Sequence, residues 1–182
     1  MRRFTSLQQW PCRMVLASAL AGSSAALAQG AHVHGLVRLD VAVDVKTLTV
    51  KLQAPLDSLL GFEHRPRTPA QKTAAGAVLE RINDVSALVR PEAAAMCMAS
   101  QTNVESETLQ SSKPAGGKEA AHAELEATYQ FTCAQPDKLT FIEFGFFDAF
   151  KRIQRIDVQV VGGKGQFKQT LKRPDKTLKL RR

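Results

Sequence analysis

Alternating apolar and polar residues along the chain predict mostly β-structure. Residues 33–44 alternate after Gly35, and one face carries only apolar side chains: Val37, Leu39, Val41 and Val43. Successive side chains of a strand point to opposite faces, so this segment is predicted as a strand with one buried face. Residues 48–53 alternate in the same way after a turn at 45–47. The two strands should form an antiparallel hairpin that ends at Pro55.

The same alternation predicts six later strands, at residues 97–104, 121–133, 138–144, 156–160, 166–172 and 176–181. In the first half of 121–133 an amphipathic helix competes, because Ala and Glu favour one. Residues 56–61 suit one short helical turn, and 146–153 suit a helical turn or a bulged continuation of the strand before them. Glycines at 162, 163 and 165 indicate a hairpin turn.

A period near 3.6 over residues 68–89 predicts one substantial helix. Thr68 suits the N-cap, Pro69 the first helical position, and Gln71 the third position of a capping box. An apolar stripe should lie on the sheet: Ala74, Ala77, Val78, Ile82, Val85, Leu88 and Val89. The fold class is therefore α+β, a mainly antiparallel sheet or sandwich with one helix. No β-α-β alternation points to a doubly wound fold.

The first 28 residues have the three parts of a secretory signal. Arg2, Arg3 and Arg13 precede the apolar residues 14–28, which close on Ala26-Leu27-Ala28. We expect cleavage after Ala28, and the apolar stretch is short for a membrane span. Residues 29–182 then form a single domain, interrupted by a polar Gly/Pro-rich loop at about 111–120.

Composition and charge narrow the function classes. With 44% apolar and 23% charged residues in 182, the chain is neither disordered nor fibrous. The formal net charge is +8, and residues 151–182 hold eleven basic but two acidic residues. This segment is either a solvated face or a surface for an envelope protein or an anionic surface, which gives an alternative function as an interaction module. Export makes nucleic acid an implausible partner.

Two cysteines remain after cleavage, Cys97 and Cys133. In an oxidising compartment an even number is first interpreted as a disulfide. Paired thiolate metal ligands are the alternative, but no CxxC spacing supports them.

All four histidines are candidate metal ligands. His32 and His34 share one face of the first strand by the two-residue period, and His64 follows Glu63 beyond the second strand. The antiparallel hairpin should bring His64 towards the other two, with Glu63 as a fourth ligand or a hydrogen-bond acceptor. His122 joins them if its strand borders the first. Imidazoles suit zinc, and also copper or nickel; two exposed strand-end histidines are the simpler reading.

Enzyme motifs are missing from the sequence. It contains no nucleophile elbow, HExxH, phosphate loop or dinucleotide fingerprint, so a non-catalytic role is expected.

Several motifs together resemble the ZrgA-like periplasmic zinc-binding proteins. They are His32-Val33-His34-Gly35, Gly61-Phe62-Glu63-His64-Arg65-Pro66, the two cysteines, and the closing segments Phe144–Phe147 and Ile156–Val160. The resemblance implies zinc binding by the motif histidines and a role in zinc homeostasis in the periplasm of Gram-negative bacteria, without catalysis. Related chains carry a His-rich central loop, whereas Ser111–Glu126 contains a single histidine, His122. One site, and not a high-capacity store, is the expectation.

Overall fold

The computed structural model describes residues 33–110, 123–163 and 165–180, which contain nine strands and five helices. The strands are β1 Leu36–Asp44, β2 Thr47–Pro55, β3 Val89–Pro91, β4 Cys97–Glu105, β5 Glu124–Cys133, β6 Phe141–Phe144, β7 Arg155–Gly162, β8 Gly165–Lys172 and β9 Thr177–Lys179. The helices are α1 Leu56–Leu60, α2 Pro69–Asn83, α3 Val85–Leu88, α4 Glu107–Gln110 and α5 Phe146–Ala149. Single 3₁₀ turns lie at Ala93–Ala95 and Pro136–Lys138.

Two sheets organise these strands. The larger has six strands within the described residues, in the order β4-β5-β2-β1-β7-β8, and the smaller has three, β3-β6-β9. All neighbours are antiparallel except β1 and β7, which run parallel. The predicted α+β class and the β1–β2 hairpin are confirmed. The parallel pair at the centre was not predicted.

One face of the larger sheet forms the core. Its inward residues alternate with polar ones as the sequence predicts, and those of the four central strands include Val37, Leu39, Val41, Leu48, Val50, Leu52, Leu125, Tyr129, Phe131, Ile156 and Val158. Helix α2 packs on this side of β5, where the buried hydroxyl of Tyr129 donates to the carbonyl of Ile82 over 2.8 Å. Burial raises the pKa of Tyr129, so the phenol stays a donor.

The predicted helix over 68–89 is split in the structure. The cap is as expected, because Thr68 accepts from the backbone of Gln71 in a complete capping box. Helix α2 ends at Asn83, however, because Asp84 leaves helical geometry (φ −80°, ψ 78°) and its carboxylate caps α3. The predicted stripe is confirmed at Val78, Ile82, Leu88 and Val89, which are buried, but at its start Ala75 is buried and the predicted Ala74 is exposed. The residues after α3 form β3.

Most other predicted elements are confirmed. Residues 56–60 and 146–149 are helical turns, and 124–133 is a strand, so the helical alternative is wrong there. The strand expected at 138–144 begins only at Phe141, because residues 136–138 form a 3₁₀ turn. The predicted signal peptide at 1–28 and most of the central loop lie outside the described residues.

The predicted disulfide is present. Cys97 and Cys133 face each other directly across β4 and β5, and their sulfurs are 2.02 Å apart. The bond fastens the edge strand β4 to the rest of the larger sheet. The alternative of two thiolate metal ligands is excluded in this state.

A chain of charges braces the smaller sheet. Glu143 on β6 accepts from Arg90 Nη2 at 2.7 Å and lies 3.1 Å from Lys176 Nζ, which also contacts Asp148 at 3.0 Å. The hydrogen bond from Arg90, and then that from Lys176, lowers the pKa of Glu143 below its ordinary value near 4.5. The carboxylate thus stabilises the fold only while it is ionised.

This network predicts an acid-dependent loss of stability. Because the pKa of Glu143 is lower in the folded protein, its contribution is complete above about pH 4.5 and is lost as the pH falls through the folded value. Glu143→Gln should lower the melting temperature by about 2 °C at pH 7, since partly exposed ion pairs contribute little. Melting curves of parent and variant should converge once the pH falls below the folded pKa of Glu143, where the carboxyl group is protonated. A difference in melting temperature that persists at that pH would show that it does not come from the ionised Glu143 carboxylate.

Candidate metal centre

His34 stands in a turn just before β1, at the end of the larger sheet where α1 begins. The prediction that His34 shares a strand face with His32 is wrong, because Gly35 has a φ of +76° and the strand begins only at Leu36. The hairpin register pairs Arg38 with Gln53, so the end of β2 lies beside the start of β1. Helix α1 starts directly after β2, at Leu56. The structure therefore confirms that the hairpin brings the segment after β2 back towards His34.

Gly35 fixes this end of the sheet. Its φ is +76°, a conformation that glycine adopts without strain. Its N–H donates to the hydroxyl of the buried Ser58 in α1 at 3.0 Å, and its carbonyl accepts from the N–H groups of Gln154 and Arg155 at 2.7 and 3.0 Å. The start of β1 is thereby held between α1 and the start of β7.

His34 meets a carboxylate that the sequence analysis did not single out. His34 Nδ1 is 3.6 Å from Oδ2 of Asp57, which lies in α1. The Asp57 side chain is 12% exposed and that of His34 is 71% exposed. The separation is too long for a hydrogen bond. It is close to the spacing of two ligand atoms on one tetrahedral zinc ion, about 3.3 Å for bonds near 2.0–2.1 Å.

Arg152 occupies the other side of Asp57. Its Nη2 donates to Oδ1 at 3.2 Å, and its Nε donates to the main-chain carbonyl of Asp57 at 2.8 Å. The guanidinium packs on Gly61, where a Cβ would lie only 3.1 Å from Arg152 Cζ. A buried carboxylate needs such a partner, so Arg152 compensates its charge. His34, Asp57 and Arg152 are called the cluster below.

Glu63 and His64 follow α1 after Gly61. The ring of His64 stacks on Phe62, with centroids 5.0 Å apart, and its Nδ1 lies 2.9 Å from the carbonyl oxygen of Arg65. Donation from Nδ1 leaves Nε2 with a lone pair, as is typical of metal-binding histidines. Among residues 33–110, 123–163 and 165–180, no three His, Cys, Asp or Glu side chains converge as a metal site. Coordination by His64 and Glu63 therefore stays a prediction.

His32 and His122 lie outside the described residues, but their chain neighbours are placed. His32 is two residues before His34. His122 directly precedes Ala123, whose carbonyl accepts from the N–H of Leu56 at 2.8 Å. Strand β5 borders β2 and not β1, so the sequence-based condition for His122 is not met as stated. The contact with Leu56 nevertheless brings the start of β5 to the first residue of α1.

Much of the basic segment 151–182 is engaged within the domain. Arg152, Arg155 and Lys176 pair with carboxylates. Arg173 donates to main-chain carbonyls and lies over the ring of Phe147, 5.1 Å from its centroid. The exposed lysines of the segment in the described part of the chain are Lys151, Lys168, Lys172 and Lys179. Of the eight basic residues of this segment that the structure describes, three thus form ion pairs, one binds main-chain carbonyls and four are exposed lysines.

A groove of about 350 Å³ opens at the opposite end of the sheet. Its lining includes Val43, Val45, Leu139, Val160, Phe167 and Leu180, with Asp137. Because β1 is nine residues long, this end lies about 30 Å from His34. The groove is therefore remote from the cluster.

Asp57 and Arg152 are the site residues that sequence reasoning missed. Asp57 is an acid between Leu56 and Leu59 in a segment predicted to be helical, and a carboxylate in an apolar setting is a signal that could have marked it. Arg152 carries no comparable signal, because it lies 95 residues further along the chain.

Comparison with known proteins identifies the family of the chain. No helix in the described part of the chain has the length and apolarity to cross a bilayer. No curated protein matches the chain. The family model described as ZrgA family zinc uptake protein matches residues 31–180, from just before the first histidine motif to β9 and beyond. The chain belongs to the ZrgA family of zinc uptake proteins.

Proposed function

We propose that this protein is a non-catalytic zinc-binding protein that takes Zn²⁺ as its cargo at the end of the sheet marked by His34. The observation that carries the proposal is the 3.6 Å separation of His34 Nδ1 and Asp57 Oδ2. Imidazole nitrogen and carboxylate oxygen are both ligands that zinc accepts. The two atoms are too far apart for a hydrogen bond, but a zinc ion between them could bind both.

The remaining ligands come from the motif residues. His32 and His122 are tied by the chain to His34 and to Ala123, both of which meet α1. His64 offers Nε2, because its Nδ1 faces a carbonyl oxygen. Glu63 is the remaining acid of the motif. Four ligands chosen from this set satisfy tetrahedral zinc, and copper or nickel would compete for the imidazoles.

Export to the periplasm of a Gram-negative bacterium is the second part of the proposal. Residues 1–28 have the pattern of a cleaved signal peptide. The disulfide between Cys97 and Cys133 suits an oxidising compartment. Intact mass of the exported protein should begin at Gln29, and a mass that retains Met1 would refute cleavage.

Metal analysis of the purified mature protein, followed by calorimetric titration with zinc, tests the function. One zinc per chain is expected, and acidification should release it, because protonated imidazoles do not coordinate. The same titrations with copper and nickel show whether either metal binds more tightly than zinc. A protein that takes up no zinc in calorimetry would overturn the proposal.

Asp57→Asn tests the ligand that the structure adds to the motif histidines. The amide keeps the shape of the side chain but removes its charge, so zinc affinity should fall about tenfold or more. Asp148→Asn is the matched control, because Asp148 is an exposed carboxylate paired with Lys176 away from the cluster. Equal zinc affinities for Asp57→Asn and the parent would remove Asp57 from the site.

A further inference from the structure

Arg152 already occupies one side of the Asp57 carboxylate in the cluster. The two carboxylate oxygens of Asp57 are divided: Oδ1 accepts from Arg152 Nη2 at 3.2 Å, while Oδ2 faces His34. The charge of Asp57 is balanced before any metal arrives. A divalent ion that enters beside Oδ2 therefore meets the His34 imidazole, a carboxylate whose charge is already compensated, and a neighbouring positive charge.

Resting on the zinc-binding function above, we propose that Arg152 is a built-in competitor of zinc for Asp57, which keeps the affinity low enough for release of the ion. Arg152 sets the affinity of the site for zinc and is not itself a ligand. Its guanidinium competes through charge for the same carboxylate that would bind the metal. A protein that passes its cargo on needs such a limit on affinity.

The placement of Arg152 supports this role. Its Nε is held by the main-chain carbonyl of Asp57 at 2.8 Å, and its side chain rests on Gly61, whose φ of +86° and missing Cβ leave room for it. The turn that carries it is bound to Gly35 through Gln154. These contacts hold the positive charge of Arg152 beside the Asp57 carboxylate.

The size of the effect follows from Coulomb's law. The Arg152 side chain is 54% exposed, so the dielectric constant is close to that of water. A single charge and a divalent ion about 5 Å apart then repel each other enough to weaken binding by roughly tenfold. Removal of the guanidinium should tighten zinc binding by this factor.

The change in zinc affinity on loss of Arg152 has opposite signs for the two roles that the residue could have, competition with zinc and orientation of Asp57. If Arg152 served mainly to orient Asp57, its loss would free the carboxylate and weaken zinc binding. If it competes with zinc, its loss strengthens binding. The direction of the change therefore decides between the two roles.

Calorimetric zinc titrations of the mature protein provide the test, with three variants. Arg152→Gln should bind zinc about tenfold more tightly than the parent. Arg152→Lys keeps the charge and should stay within about threefold of the parent. Lys151→Gln removes a neighbouring exposed charge from the same turn and should change affinity by less than threefold. The rate of zinc dissociation from Arg152→Gln, measured by transfer of the zinc to a chelator, should be lower than that of the parent by a similar factor.

Each outcome bears on the proposal. Zinc binding by Arg152→Gln that is unchanged or weaker than in the parent overturns it, as does equal tightening by Lys151→Gln. If Arg152→Gln does not fold, as judged by its circular dichroism, Arg152→Lys decides, because a change beyond threefold in that variant contradicts an effect of charge. If the parent binds no zinc, the proposed function fails as well. If the parent binds and Arg152→Gln is not tighter, this inference alone fails.

Discussion

Replacing His32 and His34 together by alanine is expected to weaken zinc binding by more than a hundredfold. His34 faces Asp57, and His32 belongs to the same motif two residues earlier, so the double variant removes two proposed imidazole ligands at once. Loss of a hydrogen-bond partner behind a ligand alone costs about 10–100-fold in metal affinity, and the loss of two ligands should exceed that. Calorimetric titration of the mature protein measures the change.

The control for the double variant is Arg38→Ala with Asp40→Ala. These exposed residues share the same two-residue spacing on β1 and do not belong to the cluster. The control should bind zinc as the parent does, and both variants should retain the disulfide and the melting profile of the apo-protein. Zinc affinity that survives loss of both histidines would show that this end of the sheet is not the binding site.

His64→Ala separates two versions of the site. If Nε2 of His64 is a ligand, its loss should weaken zinc binding at least tenfold. If the centre consists of His32, His34, His122 and Asp57, the effect should stay below threefold, because the ring contacts Phe62 and Arg65 in the structure. Titration of this single variant therefore assigns the third imidazole.

Removal of the disulfide should produce the largest loss of stability. Cys97 and Cys133 are 36 residues apart, and the chain-entropy model assigns about 3–4 kcal/mol to the closure of such a loop. Cys97→Ala with Cys133→Ala should lower the free energy of unfolding by this amount, measured by denaturant titration. The parent protein under reducing conditions should lose a similar amount.

Zinc affinity should not change with the disulfide. Strand β5 is ten residues long, and Cys133 stands at its far end, about 30 Å from Glu124 and Ala123 beside α1. For the double cysteine variant, a loss of unfolding free energy below about 1 kcal/mol would show that the disulfide is not the main constraint on the denatured chain. A parallel fall in zinc affinity would contradict the separation of the two ends.

The parts of the fold that depend on neighbouring residues were predictable from the sequence. Alternation in β1, β2 and β5 identified the buried faces, because the side-chain period of a strand is two. The capping box at Thr68 identified the start of α2. The hairpin turn between β1 and β2 then indicated which end of the sheet would receive the histidine motifs, without any knowledge of the other strands.

The parts that depend on distant residues were not predictable. Periodicity assigned β1 and β7 as strands but carried no information that they would pair, or that they would run parallel. The same holds for Asp57 and Arg152, which meet only because α1 and the turn before β7 are both fastened to Gly35. At Asp84 a local side-chain bond competes with the helix and ends it, although the apolar period continues beyond.

The central position of β1 governs the order in which the protein can fold. One of its neighbours, β2, is the next element in the chain, whereas the other, β7, is among the last to emerge from synthesis or translocation. The hairpin can form early, but the second backbone edge of β1, along Val37, Leu39 and Val41, can be paired only after residues 155–162 are available. Contacts of such long sequence separation make folding slow, and the incomplete sheet exposes a strand edge that can pair with other chains. Assembly of the end of the sheet that holds the cluster, which needs Gly35, α1 and Arg152 together, must therefore be among the last events of folding.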